Sequence, residues 1–147
     1  PLQMIEFYLI LAACTAVAIG VFWRLLVGTM VMLIGGYLGE AGFINATVGF
    51  VIGMAGWAYI LYEIFAGEAG KVAAGEAPAS VQSSFNTMRW IVTIGWAIYP
   101  LGYFFGYMAG GVDANSLNLI YNVADVVNKI GFCLAIWVAA TTETEAA

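Results

Sequence analysis

Residues 117–140 read LNLIYNVADVVNKIGFCLAIWVAA, and Asp125 and Lys129 are the only charged residues among them. A helix needs about 20 apolar residues to cross a bilayer, so this segment is long enough to span one. Placing an ionisable group at that depth costs roughly 3 kcal/mol on insertion scales, and here two such groups lie one helical turn apart. The pair is either a self-neutralising structural ion pair or a functional site, and its spacing alone leaves both interpretations open.

The composition of the whole chain indicates a membrane protein. Of its 147 residues, 63% are hydrophobic and 9% are charged, whereas soluble domains carry about 25% charged residues. Four Lys or Arg and nine Asp or Glu cannot coat a soluble globule of this size. This composition argues against a soluble enzyme, a nucleic-acid binder and a disordered tail, and the net charge of −5 adds to the case against a nucleic-acid partner.

Long apolar runs predict an all-helical bundle in one transmembrane domain over residues 1–147. The spans are predicted at about 1–20, 24–40, 45–65, 80–108 and 117–140. An exposed loop is predicted at 67–78 and a frayed tail at 141–147.

Basic residues set the predicted orientation. Arg24, Lys71 and Arg89 all fall on one side of the bundle, which predicts that this side and the C-terminal tail are cytoplasmic. The chain has no histidine, and its two cysteines, Cys14 and Cys133, lie in apolar runs without a CxxC motif. We therefore expect no metal site and two buried, reduced thiols.

A lysine at membrane depth has a specific chemical use. Desolvation favours its neutral amine, which can condense with an aldehyde to form a Schiff base. Once protonated, that imine is a buried cation that needs a carboxylate, and Asp125 lies one turn from Lys129.

The preceding span offers a pocket for a flat apolar ligand. Trp96, Tyr99 and Tyr103 recur on one helical face, and Pro100 cannot donate a hydrogen bond to the carbonyl of Trp96. Ordinary aromatic packing between helices is the alternative interpretation. Neighbouring spans add candidate pocket residues at helical spacing, namely Met32, Gly36, Phe50 and Trp57.

A third unexpected charge, Glu6, lies in the first span among Phe7, Leu9 and Ile10. A carboxyl group in such surroundings is expected to stay protonated, so it is either a proton reservoir or a group hydrogen-bonded to a neighbouring helix.

These motifs together resemble the microbial rhodopsins. Asp125-x-x-x-Lys129 in the last span and Trp96-x-x-Tyr99-Pro100 in the span before it carry the resemblance. The runs at 6–13, 26–42 and 118–122 resemble the proteorhodopsins within that family, and the similarity covers essentially the whole chain.

The resemblance implies a site for all-trans retinal. Lys129 would carry it as a protonated Schiff base, with Asp125 in the counterion complex. Glu6 matches the cytoplasmic proton donor, and Gln3 matches a colour-tuning position at which Gln goes with blue absorption. The residues implied to contact retinal are Met32, Gly36, Phe50, Gly53, Trp57, Trp96, Tyr99 and Pro100.

The implied activity is that of a blue-absorbing, light-driven outward proton pump, which is an ion transporter and not a conventional enzyme. The implied setting is the bacterial inner membrane, which the chain crosses several times as a homo-oligomer, with lipids and protons as partners. A photosensory rhodopsin that signals to a transducer is one alternative. A transporter or channel subunit that uses the Asp125–Lys129 pair without a chromophore is another.

The chain departs from the family in length. Family members have seven helices, and this chain predicts about five, without the first two and the start of the third. The family's primary proton acceptor would lie ahead of Pro1. We therefore expect the chain to be the C-terminal part of a longer protein.

Overall fold

The structure is a computed structural model that describes residues 1–146, and every regular element in that range is helical. The helices are α1 (Leu2–Ala12), α2 (Ile19–Glu40), α3 (Ala46–Phe65), α4 (Glu68–Gly75), α5 (Ala79–Ile94), a 3₁₀ segment (Gly95–Ala97), α6 (Ile98–Tyr103), a π-helical segment (Phe104–Met108) and α7 (Ala114–Ala146).

Four helical stretches in the described residues are long and apolar enough to cross a membrane. They are Ile19–Glu40, Ala46–Gly75, Ala79–Met108 and Ala114–Glu145. The shorter α1 is also apolar. It is tied to the bundle by Phe7, whose ring packs edge-on against Phe85 at 5.0 Å and against Phe132 at 5.3 Å between ring centroids.

The first break in the helices lies earlier than predicted. α1 ends at Ala12, and α2 begins at Ile19, before the break that was expected near 20–24. Directly after α1, the thiol of Cys14 donates to the carbonyl of Ile10 and the hydroxyl of Thr15 donates to the carbonyl of Leu11. Such local bonds compete with helical backbone bonding, and no glycine or proline in this apolar run marks the break.

The predicted loop at 67–78 is wrong, because most of it forms α4. The buried residues Ala69, Val72 and Ala73 follow a spacing of three and four, so one face of this short helix packs on the core. The glycines and charges of this segment gave it the composition of a loop.

The C-terminal tail is also helical, in contrast to the prediction that it is frayed. The hydroxyls of Thr141, Thr142 and Thr144 donate to carbonyls one turn earlier. Ser80 of α5 donates to the carboxylate of Glu143, which ties the two helices together. Ala147 lies outside the described residues.

The predicted burial of the two cysteines is wrong. Both Cys14 and Cys133 are exposed, and both are free thiols. In a membrane bundle an apolar residue can face lipid as well as the protein interior, so an apolar run does not show which side a residue faces.

An ion cluster around the buried carboxylate of Glu63 joins α2, the start of α4 and the end of α3. The guanidinium of Arg24 donates from Nε to Oε2 of Glu63 at 3.1 Å and from Nη2 to Oε2 of Glu68 at 2.5 Å. Glu63 is 3% exposed, and its Oε1 also accepts the backbone N–H of Ala69 at 3.2 Å. The cluster therefore satisfies a carboxylate that would be costly to bury alone.

α2 and α3 pack backbone to backbone through glycines. A Cβ built on Gly49 would lie 2.7 Å from the Cα of Gly39 and 2.9 Å from the carbonyl oxygen of Gly35. Small residues allow this close approach between membrane helices.

We expect Gly49→Leu to destabilise the protein by about 3 kcal/mol or more, because the backbones on both sides cannot yield to a side chain. The measurement is the thermal unfolding temperature of the purified protein in detergent. Gly36→Ala is the matched control, since a Cβ at Gly36 meets nothing within 4 Å. Equal unfolding temperatures for Gly49→Leu and the parent would contradict the close packing.

Candidate functional site

The candidate site is a cavity of about 470 Å³ lined by α2, α3, the α5–α6 region and α7, with the start of α1 at its edge. It brings together all the predicted site residues except Glu6. Those in the lining are Gln3, Met32, Gly36, Phe50, Gly53, Trp57, Trp96, Tyr99, Pro100, Asp125 and Lys129.

Polar groups at one wall of the cavity form a short hydrogen-bonded chain. Nζ of Lys129 donates to Oδ2 of Asp125, and the hydroxyl of Tyr99 donates to Oδ1 of the same carboxylate. The carbonyl of Tyr99 in turn accepts the hydroxyl of Tyr121 at 3.0 Å. Both oxygens of Asp125 are therefore engaged, which fixes the carboxylate beside the amine.

The pair is less buried than predicted. In the described chain the side chain of Lys129 is 58% exposed and that of Asp125 is 41% exposed. One face of α7 near the pair is therefore not covered by another described element.

The interrupted helix from α5 to α6 shapes part of the cavity wall. As predicted from Pro100, the regular α-helical pattern is interrupted, with the 3₁₀ segment at Gly95–Ala97 directly before α6. Nε1 of Trp57 donates to the carbonyl of Val92 at 3.0 Å, which holds an indole from α3 against α5. The irregular backbone places Trp96 and Tyr99 in the lining of one cavity.

The cavity lining combines largely apolar walls with a few polar groups, among them the Lys129 amine. Gly36 lies in the lining, and a Cβ built on it would have no neighbouring atom within 4 Å. Aromatic rings and methionines make up much of the wall, while the amine of Lys129 is available at one end. Such a mixture of apolar walls and a few polar groups is typical of small-molecule sites.

Two polar side chains of α1 lack hydrogen-bond partners in the described residues. Nε2 of Gln3 and Oε2 of Glu6 are both buried and unpaired. Gln3 lines the cavity, whereas Glu6 does not.

Several lining residues were not predicted from the sequence, among them Thr29, Leu33, Glu40 and Met54. Thr29 precedes Met32 by three residues, and Glu40 follows Gly36 by four, so both continue a helical face that had already been identified. Extending that periodicity along α2 would have found them.

The fold and the site define a microbial rhodopsin. The family model for "Bacteriorhodopsin-like protein" matches residues 1–143, and the chain belongs to this family. With its four membrane-length helices, it is a membrane protein.

Its relatives include proteorhodopsins of both colours. The chain is 55% identical over 146 residues to the blue-light absorbing proteorhodopsin of Gamma-proteobacterium Hot 75m4. It is 56% identical over 145 residues to the green-light absorbing proteorhodopsin of Gamma-proteobacterium EBAC31A08. Each match covers 98% of this chain and 58% of the relative, so the chain spans little more than half the length of these curated relatives.

Solved structures support the same fold. The crystal structure of blue light-absorbing proteorhodopsin from Med12 matches 97% of this chain and 62% of its own, with a TM-score of 0.78 and 50% identity. Exiguobacterium sibiricum rhodopsin matches 100% of this chain and 68% of its own, with a TM-score of 0.86 and 34% identity. The predicted family and the predicted all-helical rhodopsin fold are both confirmed.

Proposed function

We propose that this chain belongs to a light-driven outward proton pump that carries all-trans retinal on Lys129 as a protonated Schiff base. The observation that carries the proposal is the pairing of Lys129 with Asp125 at one end of an aromatic-lined cavity. Retinal would supply a light-driven change of shape that alters the proton affinity at Nζ of Lys129.

The protein's own residues would hold and orient the chromophore. Trp57 and Trp96 lie in the cavity wall, where their flat rings could confine a polyene. Asp125 would stabilise the positive charge at Nζ, and the hydroxyl of Tyr99 would keep that carboxylate in place. The free space at Gly36 would leave room for the ligand beyond its polar end.

Glu6 supports a pump in preference to a sensor. Its Oε2 is buried without a partner in the described residues, so no bond to that oxygen there holds the carboxylate in its charged form. In the proposed cycle it returns a proton from the cytoplasmic side to Nζ of Lys129. Differences in proton affinity between the two groups give the transfer its direction.

The proposed setting is the bacterial inner membrane, with the C-terminus in the cytoplasm. Arg24, Lys71 and Arg89 on one side of the bundle support this orientation. Lipids and protons are the proposed partners, and a homo-oligomer is the proposed assembly. Blue absorption is proposed from Gln3, which lies in the cavity lining.

Retinal reconstitution tests the proposal. Purified full-length protein should develop an absorption band in the blue region when all-trans retinal is added. Protein that remains folded and colourless after the addition would contradict the proposal and would favour a transporter or channel without a chromophore.

We expect Gln3→Leu to move the absorption maximum to the red while pumping continues. The side-chain amide is unpaired at the cavity wall. Beside the polyene its dipole favours the ground-state charge distribution, in which the positive charge lies at the imine, so its removal narrows the energy gap. The visible spectrum of the full-length variant gives the answer.

The matched control is Gln82→Leu, which makes the same change at an exposed residue of α5 outside the cavity lining. Its band should stay in place. An unmoved band in Gln3→Leu would mean that Gln3 does not face the chromophore.

A further inference from the structure

A buried amide links α7 to the kinked helix next to the proposed attachment site. Asn128 directly precedes Lys129 and is 8% exposed. Its Nδ2 donates to the carbonyl oxygen of Gly95 at 3.0 Å. A buried side-chain amide is costly unless it is bonded, so this contact has to be kept for Asn128 to remain in place.

Gly95 is shaped to receive this side chain. A Cβ built on Gly95 would lie 2.2 Å from Oδ1 and 3.0 Å from Cγ of Asn128. Separations under 3.0 Å essentially never occur for a real Cβ, so any larger residue at 95 would push Asn128 away. The two residues therefore form a matched pair across the helix interface.

The carbonyl that Asn128 bonds lies in the irregular part of the helix, beside the residue whose carbonyl Pro100 leaves without its usual donor. Gly95 opens the 3₁₀ segment, Trp96 is its middle residue, and Pro100 cannot donate to the carbonyl of Trp96. With backbone bonding reduced, the position of this segment depends on side chains from neighbouring helices. Asn128 supplies one of these side chains, and it directly precedes Lys129 in the chain.

We propose that Asn128 is a positioning residue that fixes Trp96 relative to Lys129 and so sets the colour and the retention of the bound chromophore. The inference rests on the proposed retinal-binding function. It assigns a role to a residue that neither pairs with the Lys129 amine nor lines the cavity.

The test uses full-length protein reconstituted with all-trans retinal. Asn128→Leu keeps the approximate volume and removes the donor, while Gly95→Ala displaces the same side chain from the other helix. A double variant, Gly95→Ala with Asn128→Ala, provides room for the new methyl group. The readouts are the absorption maximum and the rate of bleaching by hydroxylamine in the dark.

Ser84→Ala is the matched control. Ser84 is buried, and its hydroxyl donates to the carbonyl of Ala135 at 2.6 Å, so it links α5 to α7 in the same manner away from the cavity. A merely structural bond would affect stability in both variants and colour in neither.

We expect the absorption maximum to move in both Asn128→Leu and Gly95→Ala. Bleaching in the dark should be about five-fold faster in each variant, because the net free energy of one ordinary hydrogen bond corresponds to about that factor. Asn128→Ala alone should move the band as far as the double variant does, because both sites act on one contact. Ser84→Ala should keep the parent band. If Asn128→Leu does not fold, Gly95→Ala tests the same contact.

The outcomes separate this inference from the proposed function. A coloured parent whose folded variants keep the parent band and bleaching rate would overturn the role of Asn128 alone. An equal band shift in Ser84→Ala would do the same. A folded parent that stays colourless would overturn the proposed function, and the role of Asn128 with it.

Discussion

Lys129→Ala is expected to abolish the visible absorption band of the full-length protein completely. Among the described residues that line the cavity, Lys129 is the only lysine, and no other side chain of that lining can condense with an aldehyde to form an imine. The measurement is the absorption spectrum after all-trans retinal is added to the purified variant. The spectrum of the variant should show only the absorption of free retinal.

Lys71→Ala is the control for this experiment, because Lys71 is an exposed amine on α4. It should bind retinal as the parent does. A Lys129→Ala variant that still develops the band of a protonated imine would show that the attachment site lies elsewhere.

Glu6→Gln is expected to slow the late phase of the light-driven cycle about 100-fold, in the range that a positioned general acid contributes. The amide has nearly the same shape as the carboxyl group but cannot supply a proton. The early phase, in which the proton first leaves, should be unchanged. The late phase should also become dependent on bulk pH, since protons must then arrive from solution.

Flash photolysis of the full-length protein at several pH values measures this effect. Azide, a small weak acid, should partly restore the rate by doing the work of Glu6. Glu76→Gln changes an exposed carboxylate and should behave as the parent. A Glu6→Gln variant that decays as fast as the parent at every pH would mean that Glu6 is only a packed carboxyl group.

Helical periodicity was sufficient to find most of the cavity. Asp125 and Lys129 are four residues apart in an apolar run, and Trp96 and Tyr99 are three apart beside a proline, so each pair had to share a helical face. Once the helices pack, these faces converge on one cavity with Met32 and Gly36 of α2. Periodicity determines which residues share a face, and the resemblance to a known family indicated which faces meet.

The regions that were predicted wrongly depend on contacts between distant segments. α4 is a helix because Ala69 and Val72 pack on the core, and composition alone cannot reveal a packing partner. The C-terminal turns of α7 are supported by the bond between Ser80 and Glu143, which are far apart in sequence. The bond from Asn128 to Gly95 likewise joins two helices and has no local signal.

Orientation towards lipid or protein was a second source of error. Cys14 and Cys133 lie in apolar runs yet are exposed in the described chain, and an apolar run does not show which face of a membrane helix another element covers. The rule that apolar residues are buried applies to proteins in water. It gave the wrong environment for both thiols.

Light-driven acidification of the medium tests the central claim most directly. Cells that express the full-length protein with all-trans retinal are illuminated in unbuffered salt solution while the external pH is recorded. We predict that the pH falls in the light, recovers in the dark, and does not change when a protonophore is present. A protein that forms its absorption band but leaves the external pH unchanged, or raises it, would contradict an outward proton pump.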